Sequence, residues 1–363
     1  MNVALVHDYL VQDGGAERTL LALHELYPEA PIFTLFYDPE ASHPKFRELD
    51  IRVSRLNRLP FAPQSYQWYL PFMAQATEAF DLSDFDLVIS SSSSFAKGVI
   101  AAPHGLHICY CHTPTRFLWQ ERLGYVNELP QPKIIKWLLP PFLHRLRQWD
   151  RYAAERPDIL LTNSQTSQNR IQRYYRRDAR VIHPPVDVQA IQPVSSPGQY
   201  WLTGGRLVAY KRFDLVVRAF RKLGWPLKIF GIGPERKKLE RLAGPKTEFL
   251  GRVDDQTKAE LYARAIAFLH PHMEDFGITA VESMAAGRPV IAYGKGGATE
   301  TMVDGVTGKF LEASNTEDLT RAIASFDPSR YSSDRIRAHA ERFSKQRFLE
   351  EMRSFIKGVT NYE

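Results

Sequence analysis

Cysteine is nearly missing: 363 residues hold two, Cys109 and Cys111. They stand two apart on a strand-like stretch and face one side, so a disulfide framework does not organise this chain. No run of 18 or more apolar residues occurs, which excludes a spanning helix on hydropathy. The opening MNVALVHDYL has no basic n-region and carries His7 and Asp8 where a signal peptide stays apolar. It is expected to be the first strand of a folded cytoplasmic domain. The full dinucleotide fingerprint is also missing, since Gly14 and Gly15 follow the first apolar strand as a bare pair. HGLHICYCH at 104–112 holds His104, His107, Cys109, Cys111 and His112 but lacks the paired, turn-spaced ligands of structural zinc sites. Asp84 and Asp86 form a D-x-D triplet, yet it precedes a strand and so falls at the wrong edge of a parallel sheet for a metal–nucleotide site. No metal is expected.

What is present is a globular composition, 44% hydrophobic and 24% charged, on a chain long enough for two domains. Val3–Val6, a turn at 13–15 and an amphipathic helix over 16–26 open a doubly wound α/β domain. Further strands are expected at 32–36, 86–90, 106–110, 159–162 and 181–182. Pro184, Pro185 and the 193–197 stretch mark a boundary. The order strand, Gly-rich exit, helix then resumes at 200–205, 227–234 and 249–253. Two similar Rossmann-like domains facing a central cleft are expected, over 1–185 and 186–344, with a C-terminal helix at about 345–363 completing the first.

The densest stretch is 269–300, LHPHMEDFGITAVESMAAGRPVIAYGKGGATE. It reads as a strand end, a helix from about Gly277 to Ala286, a C-cap at Gly287 and a second strand. A helix starting at a glycine turn offers unpaired N–H groups and a positive dipole end, which favour an anion. Glu274 lies just before that helix and Glu282 within it. Arg206 and Lys211 follow another strand end, where two cations can clamp a diphosphate. His112 leaves the strand at 106–110 ahead of a proline-fixed turn.

Charge is uneven. Residues 133–180 hold 11 Lys+Arg against 4 Asp+Glu, a net of +7, while the whole chain is +6. Within it, 133–156 mixes cations with aromatics around Pro140 and Pro141, which are expected to interrupt a helix. Contact with an anionic membrane and packing on its own domain both fit that composition. No nucleic-acid motif accompanies the charge. The aromatic stretch 58–80 fits either core or an acceptor-facing surface.

With these pieces in order, the chain resembles the retaining glycosyltransferases of the GT4 family, which have the GT-B fold. EDFGITAVE at 274–282 matches the family's E-x7-E motif. GGRLVAYKR (204–212), GIGP (231–234), FLGRVDD (249–255) and GGATETMVDGVTG (296–308) match as well, and YCHTPTRFLW (110–119) is similar to a bacterial mannosyltransferase-like branch that builds surface polysaccharides. The resemblance implies transfer of a hexose, mannose from GDP-mannose being the expectation, from a nucleotide sugar to a glycan or lipid-linked acceptor, with no cofactor and no metal. It implies that Glu282 holds ribose hydroxyls. Arg206, Lys211 and the helix start would neutralise the diphosphate, and Glu274 with the backbone of Phe276, Gly277 and Ile278 would bind the donor sugar. His112 would sit near the reacting sugar, Val253 would meet the base through its backbone, and Gly205, Gly231 and Gly233 would join the donor-binding set. Gly14 and Gly15 would border the acceptor side. It also implies work at the inner membrane face and retention by same-face attack. A phosphorylase or epimerase of the same fold and a non-catalytic sugar-nucleotide-binding protein are the rivals.

Overall fold

A computed structural model describes residues 1–120, 133–195 and 198–360, without the side chains of 133–138. The chain forms two compact units, Met1–His183 with Leu349–Glu363, and Pro184–Phe348.

The first unit is built on parallel strands β1 (Val3–His7), β2 (Ile32–Thr34), β3 (Ile51–Val53), β4 (Leu87–Ser92), β5 (Leu106–Cys111), β6 (Ile159–Thr162) and β7 (Arg180–Val181), in sheet order 3-2-1-4-5-6-7. Strands 1 and 4 are buried at every position, as expected when helices cover both faces of a parallel sheet. The second unit holds β8 (Tyr200–Gly204), β9 (Leu227–Phe230), β10 (Thr247–Gly251), β11 (Ala265–His270), β12 (Val290–Tyr293) and β13 (Gly308–Leu311), in order 10-9-8-11-12-13. Each is a doubly wound, Rossmann-like α/β unit. In both sheets the order reverses beside the first strand, at the carboxyl-end crevice where such folds bind ligands.

Three expectations about elements change. Helix Lys133–Ala153 runs through Pro140 and Pro141 without interruption. Both prolines are exposed, and Leu143 and Leu146 beyond them are buried in a core shared with Leu70 and Met73. Packing of that face outweighs the missing backbone bonds. Within 133–156, the side chains of Lys133, Lys136, Trp137 and Leu138 lie outside the described residues, as do 196–197 of the proline-rich boundary and 361–363 of the expected last helix. The stretch 58–80 divides between both readings: Leu70, Met73 and Thr77 are buried, whereas Phe61 is 81% exposed and Trp68 and Phe72 are 53% and 54% exposed. Strands 1, 4, 5 and 11 extend past their last aliphatic residues to include His7, Ser91 and Ser92, Cys111, and His270.

Candidate active site

In the second unit the site grows from the turn between β11 and helix Ile278–Ala285. Gly277 caps that helix at φ +93°, a left-handed conformation that glycine adopts without strain. Glu274 therefore lies off the helix, on the turn. Its backbone is fixed by the 296–297 loop: Gly297 N–H donates to Glu274 O at 2.8 Å, and a Cβ on Gly296 would lie 2.5 Å from that oxygen. The glycines of GGATE are required by this close approach.

The Glu274 carboxylate gathers three partners. Lys211 Nζ is 2.6 Å from Oε1, His272 Nε2 is 3.1 Å from Oε1, and His270 Nε2 is 3.8 Å from Oε2. Burial alone pushes this carboxyl up. Lys211, followed by His272, outweighs burial and holds it well below the usual carboxylate range. His270 is lowered to about 3, first by burial and then by His272, so it is neutral at pH 7. Glu282, on the helix, accepts from Lys258 Nζ and Tyr262 Oη, both at 2.9 Å, from helix Asp255–Arg264. Sequence reasoning missed His270, His272, Lys258 and Tyr262. The i, i+4 spacing of Lys258 and Tyr262, which puts both on one helix face, was the available signal.

Arg206 is exposed just past Gly205, whereas Lys211 is buried against Glu274. Gly231 and Gly233 serve the backbone: added Cβ atoms would lie 1.9 Å from Gly205 O and 2.3 Å from Leu207 O. Leu207 N–H donates to Ile232 O at 2.8 Å and Glu235 N–H to Leu207 O at 3.1 Å, so the two Gly-rich exits are zipped together. Val253 is half-buried beyond β10, Phe276 is buried against Phe343, and Ile278 is the first helical residue.

In the first unit, Gly14 and Gly15 begin helix Gly15–Leu26, and neither adopts a positive φ. A Cβ on Gly14 would meet Glu17 Oε2 at 2.9 Å. His112 is buried, its Nε2 2.9 Å from Ser91 Oγ, and it is lowered to about 3 by burial and then by His7. Asp8, also missed, accepts backbone N–H groups of Ser93, Ser94, Phe95 and Ala96 at 2.6, 2.9, 2.7 and 2.7 Å. This fills with the chain's own carboxylate a cradle of N–H groups that could otherwise take an anion.

Among the described residues, one group could bring metal ligands within 4.8 Å of one another: His270, His272 and Glu274. Lys211 already supplies a cation at that carboxylate, and a divalent ion would have to displace it. The cluster over 104–112 does not converge: His104 is exposed, His107 Nε2 lies 2.8 Å from Ser90 Oγ, and burial pushes the Cys109 thiol up to about 12. Asp86 accepts from the backbone of Asn2 at 2.6 Å.

Two parallel doubly wound units, with a carboxylate and a lysine beside a helix start, are the frame of a GT-B transferase. Family models agree: "Glycosyltransferase Family 4" matches residues 13–190 and "Glycosyl transferases group 1" matches 190–343. The chain belongs to the GT4 glycosyltransferases. It is similar to the alpha-1,3/1,6-mannosyltransferase ALG2 of Mus musculus, at 24% identity over 94% of this chain and 93% of that protein. An uncharacterized glycosyltransferase of Methanocaldococcus jannaschii is 29% identical over 49% of this chain, and the D-rhamnosyltransferase WbpZ of Pseudomonas aeruginosa is 27% identical over 55%. The chain spans about half the length of these last two, 52% and 56%. Among solved structures, Anabaena HepE in complex with UDP and glucose superposes with a TM-score of 0.74 at 18% identity, covering 98% of this chain and 99% of that one. Sucrose-phosphate synthase of Thermosynechococcus elongatus gives 0.75 at 18% identity with full coverage of both. At these identities the two structures establish the fold.

Proposed function

We propose that this chain is a retaining hexosyltransferase that takes a hexose, mannose from GDP-mannose first, to a glycan or lipid-linked acceptor in surface-polysaccharide synthesis. The observation that carries the reading is Lys211 on Glu274 beside the start of helix Ile278–Ala285. A departing nucleoside diphosphate develops negative charge, and a fixed ammonium with unpaired helix N–H groups stabilises it without reorganising. Lys211 and Arg206 take the diphosphate, and Glu282 takes the ribose hydroxyls in exchange for Lys258 and Tyr262. Glu274 Oε2, which faces His270 Nε2 at 3.8 Å, accepts from a sugar hydroxyl. Retention follows from same-face attack, with the phosphate oxygen receiving the acceptor proton. No metal takes part, because Lys211 supplies the charge at Glu274. The names of ALG2 and WbpZ, a mannosyltransferase and a rhamnosyltransferase, favour a deoxyhexose or hexose donor.

Lys211→Ala should lower kcat by about 10²-fold or more, the cost of removing a charge-stabilising donor. Turnover within a factor of a few of wild type overturns the clamp. Thermal shifts with GDP, UDP, ADP and dTDP identify the base, since a ligand at 100 times its dissociation constant adds about 2.7 kcal/mol. Sugar-1-phosphate formation in place of nucleoside diphosphate release would favour the phosphorylase reading. The enzyme works at the inner face of the plasma membrane, held peripherally by the basic helix Lys133–Ala153.

A further inference from the structure

The first unit contains a buried chain of polar side chains that the proposed reaction does not use directly. His7 ends β1 and pairs in register with Ser91 of β4. His7 Nδ1 is 3.2 Å from Ser91 Oγ, and Ser91 Oγ is 2.9 Å from His112 Nε2, just past β5. On the other side of His7, its Nε2 is 3.8 Å from Glu17 Oε1, in helix Gly15–Leu26. Glu17, His7, Ser91 and His112 are 2%, 3%, 0% and 8% exposed. Gln12 Nε2 donates to Glu17 Oε1 at 3.0 Å, while Glu17 Oε2 has no hydrogen-bond partner among the described residues.

Each hydrogen in this chain has one consistent place. Glu17 Oε1 already accepts from Gln12 Nε2, so the His7 nitrogen that faces this oxygen carries the proton, on Nε2, and leaves Nδ1 as an acceptor. Ser91 has a single O–H, and it goes to that Nδ1. The Ser91 lone pair then needs a donor, and His112 Nε2–H is the group in reach. The opposite polarity would aim the His7 Nε2 lone pair at an oxygen that is itself accepting a hydrogen bond. We propose that Glu17, through His7 and Ser91, fixes His112 in the Nε2–H tautomer and reserves its Nδ1 as a hydrogen-bond acceptor. His7 and Ser91 are thus positioning residues, and the acceptor nitrogen suits a sugar hydroxyl. That last step rests on the reading that His112 borders the reacting sugar.

The full-length protein labelled with 15N-histidine tests this by long-range 1H–15N correlation, with His112 assigned by the peaks lost in His112→Gln. The expected wild-type pattern is His112 protonated on Nε2 only and His7 likewise. Ser91→Thr keeps the hydroxyl and the pattern. Ser91→Val has the shape of the threonine variant without its hydroxyl, and should move His112 to an exchanging tautomer mixture. It should also lower kcat about tenfold, with donor KM within about threefold, as misplacement of a reacting-site group does. His112 found as Nδ1–H, His7 found protonated on both nitrogens, or a valine spectrum identical to wild type overturns the relay. A shifted tautomer with unchanged valine turnover upholds the relay and removes His112 from the reacting sugar.

Discussion

His107, His112 and His270 are each buried, and each stays neutral because burial is the first cause of its lowered value, about 4, 3 and 3. The unfolded chain binds these protons near pH 6.5. Between that value and about 3–4 the unfolded state therefore holds more protons, stability rises with pH, and acid removes it. Each group contributes a slope of up to about 1.4 kcal/mol per pH unit. Urea midpoints should fall from pH 7 to pH 5, and His270→Phe should flatten the fall; a midpoint constant over that range would count against neutral burial. A second residue-scale effect centres on Asp150. Its carboxylate pairs with buried Lys97 at 2.6 Å and accepts from Thr115 at 2.6 Å, Trp119 at 2.7 Å and Tyr175 at 2.8 Å. Asp150→Ala strands the Lys97 ammonium, and a loss of about 3–5 kcal/mol is expected in chemical denaturation. Replacing Lys97 as well, by Met, should recover only the part that comes from the stranded ammonium, because Thr115, Trp119 and Tyr175 still lose their acceptor.

At the scale of elements, the apolar runs and glycine exits made most strands of both units readable along the chain, though not β3 or β13 nor the order in either sheet, and the glycine start and C-cap located the helix that carries Glu282. The polar ends of strands were less readable. Hydrophobic patterning stops at Val6, Ser90 or Leu269, but the ladder continues through His7, Ser92 and His270, because central parallel strands stay paired up to the site. Lys211, Lys258 and Tyr262 reach Glu274 and Glu282 from segments 63, 24 and 20 residues away, whereas His270 and His272 sit four and two residues before Glu274, and only the i, i+4 pair Lys258 and Tyr262 shows a spacing that a sequence displays. Glycine roles were legible only in part, since a sequence does not tell close backbone approach from ligand approach. Gly231→Ala separates the two: φ is +110° and the new Cβ would lie 1.9 Å from Gly205 O, so a loss of about 3 kcal/mol or more is expected. Gly224→Ala, at φ +65° with nothing within 4 Å, should cost only about 1–2 kcal/mol. Equal melting temperatures for the two variants would deny the zipped loops their role.

For the whole molecule, no described helix is long and apolar enough to cross a membrane. The +7 of residues 133–180 is partly turned inward. Arg147 donates to Leu118 O, Arg156 pairs with Glu78, and Arg177 donates to the carbonyls of Ala154 and Pro157. His144 and Arg145 face outward, and Tyr152 is 67% exposed. Co-sedimentation with phosphatidylglycerol vesicles should exceed that with phosphatidylcholine vesicles and weaken with salt, because each surface cation adds about 1 kcal/mol near an anionic bilayer and is screened within about 10 Å at 0.1 M salt. Arg145→Glu should lower binding severalfold. Binding indifferent to both lipid charge and salt would remove the basic helix from this role.

Residues from Leu349 onward belong to the unit that begins at Met1, whereas Pro184–Phe348 forms the other without a break. During synthesis the later-made unit can therefore close first. The earlier one waits on the ribosome with Met352 and Ile356, both at most 2% exposed in the finished molecule, still to be supplied. A stop codon just after Phe348 would thus injure the half of the protein translated longest before it.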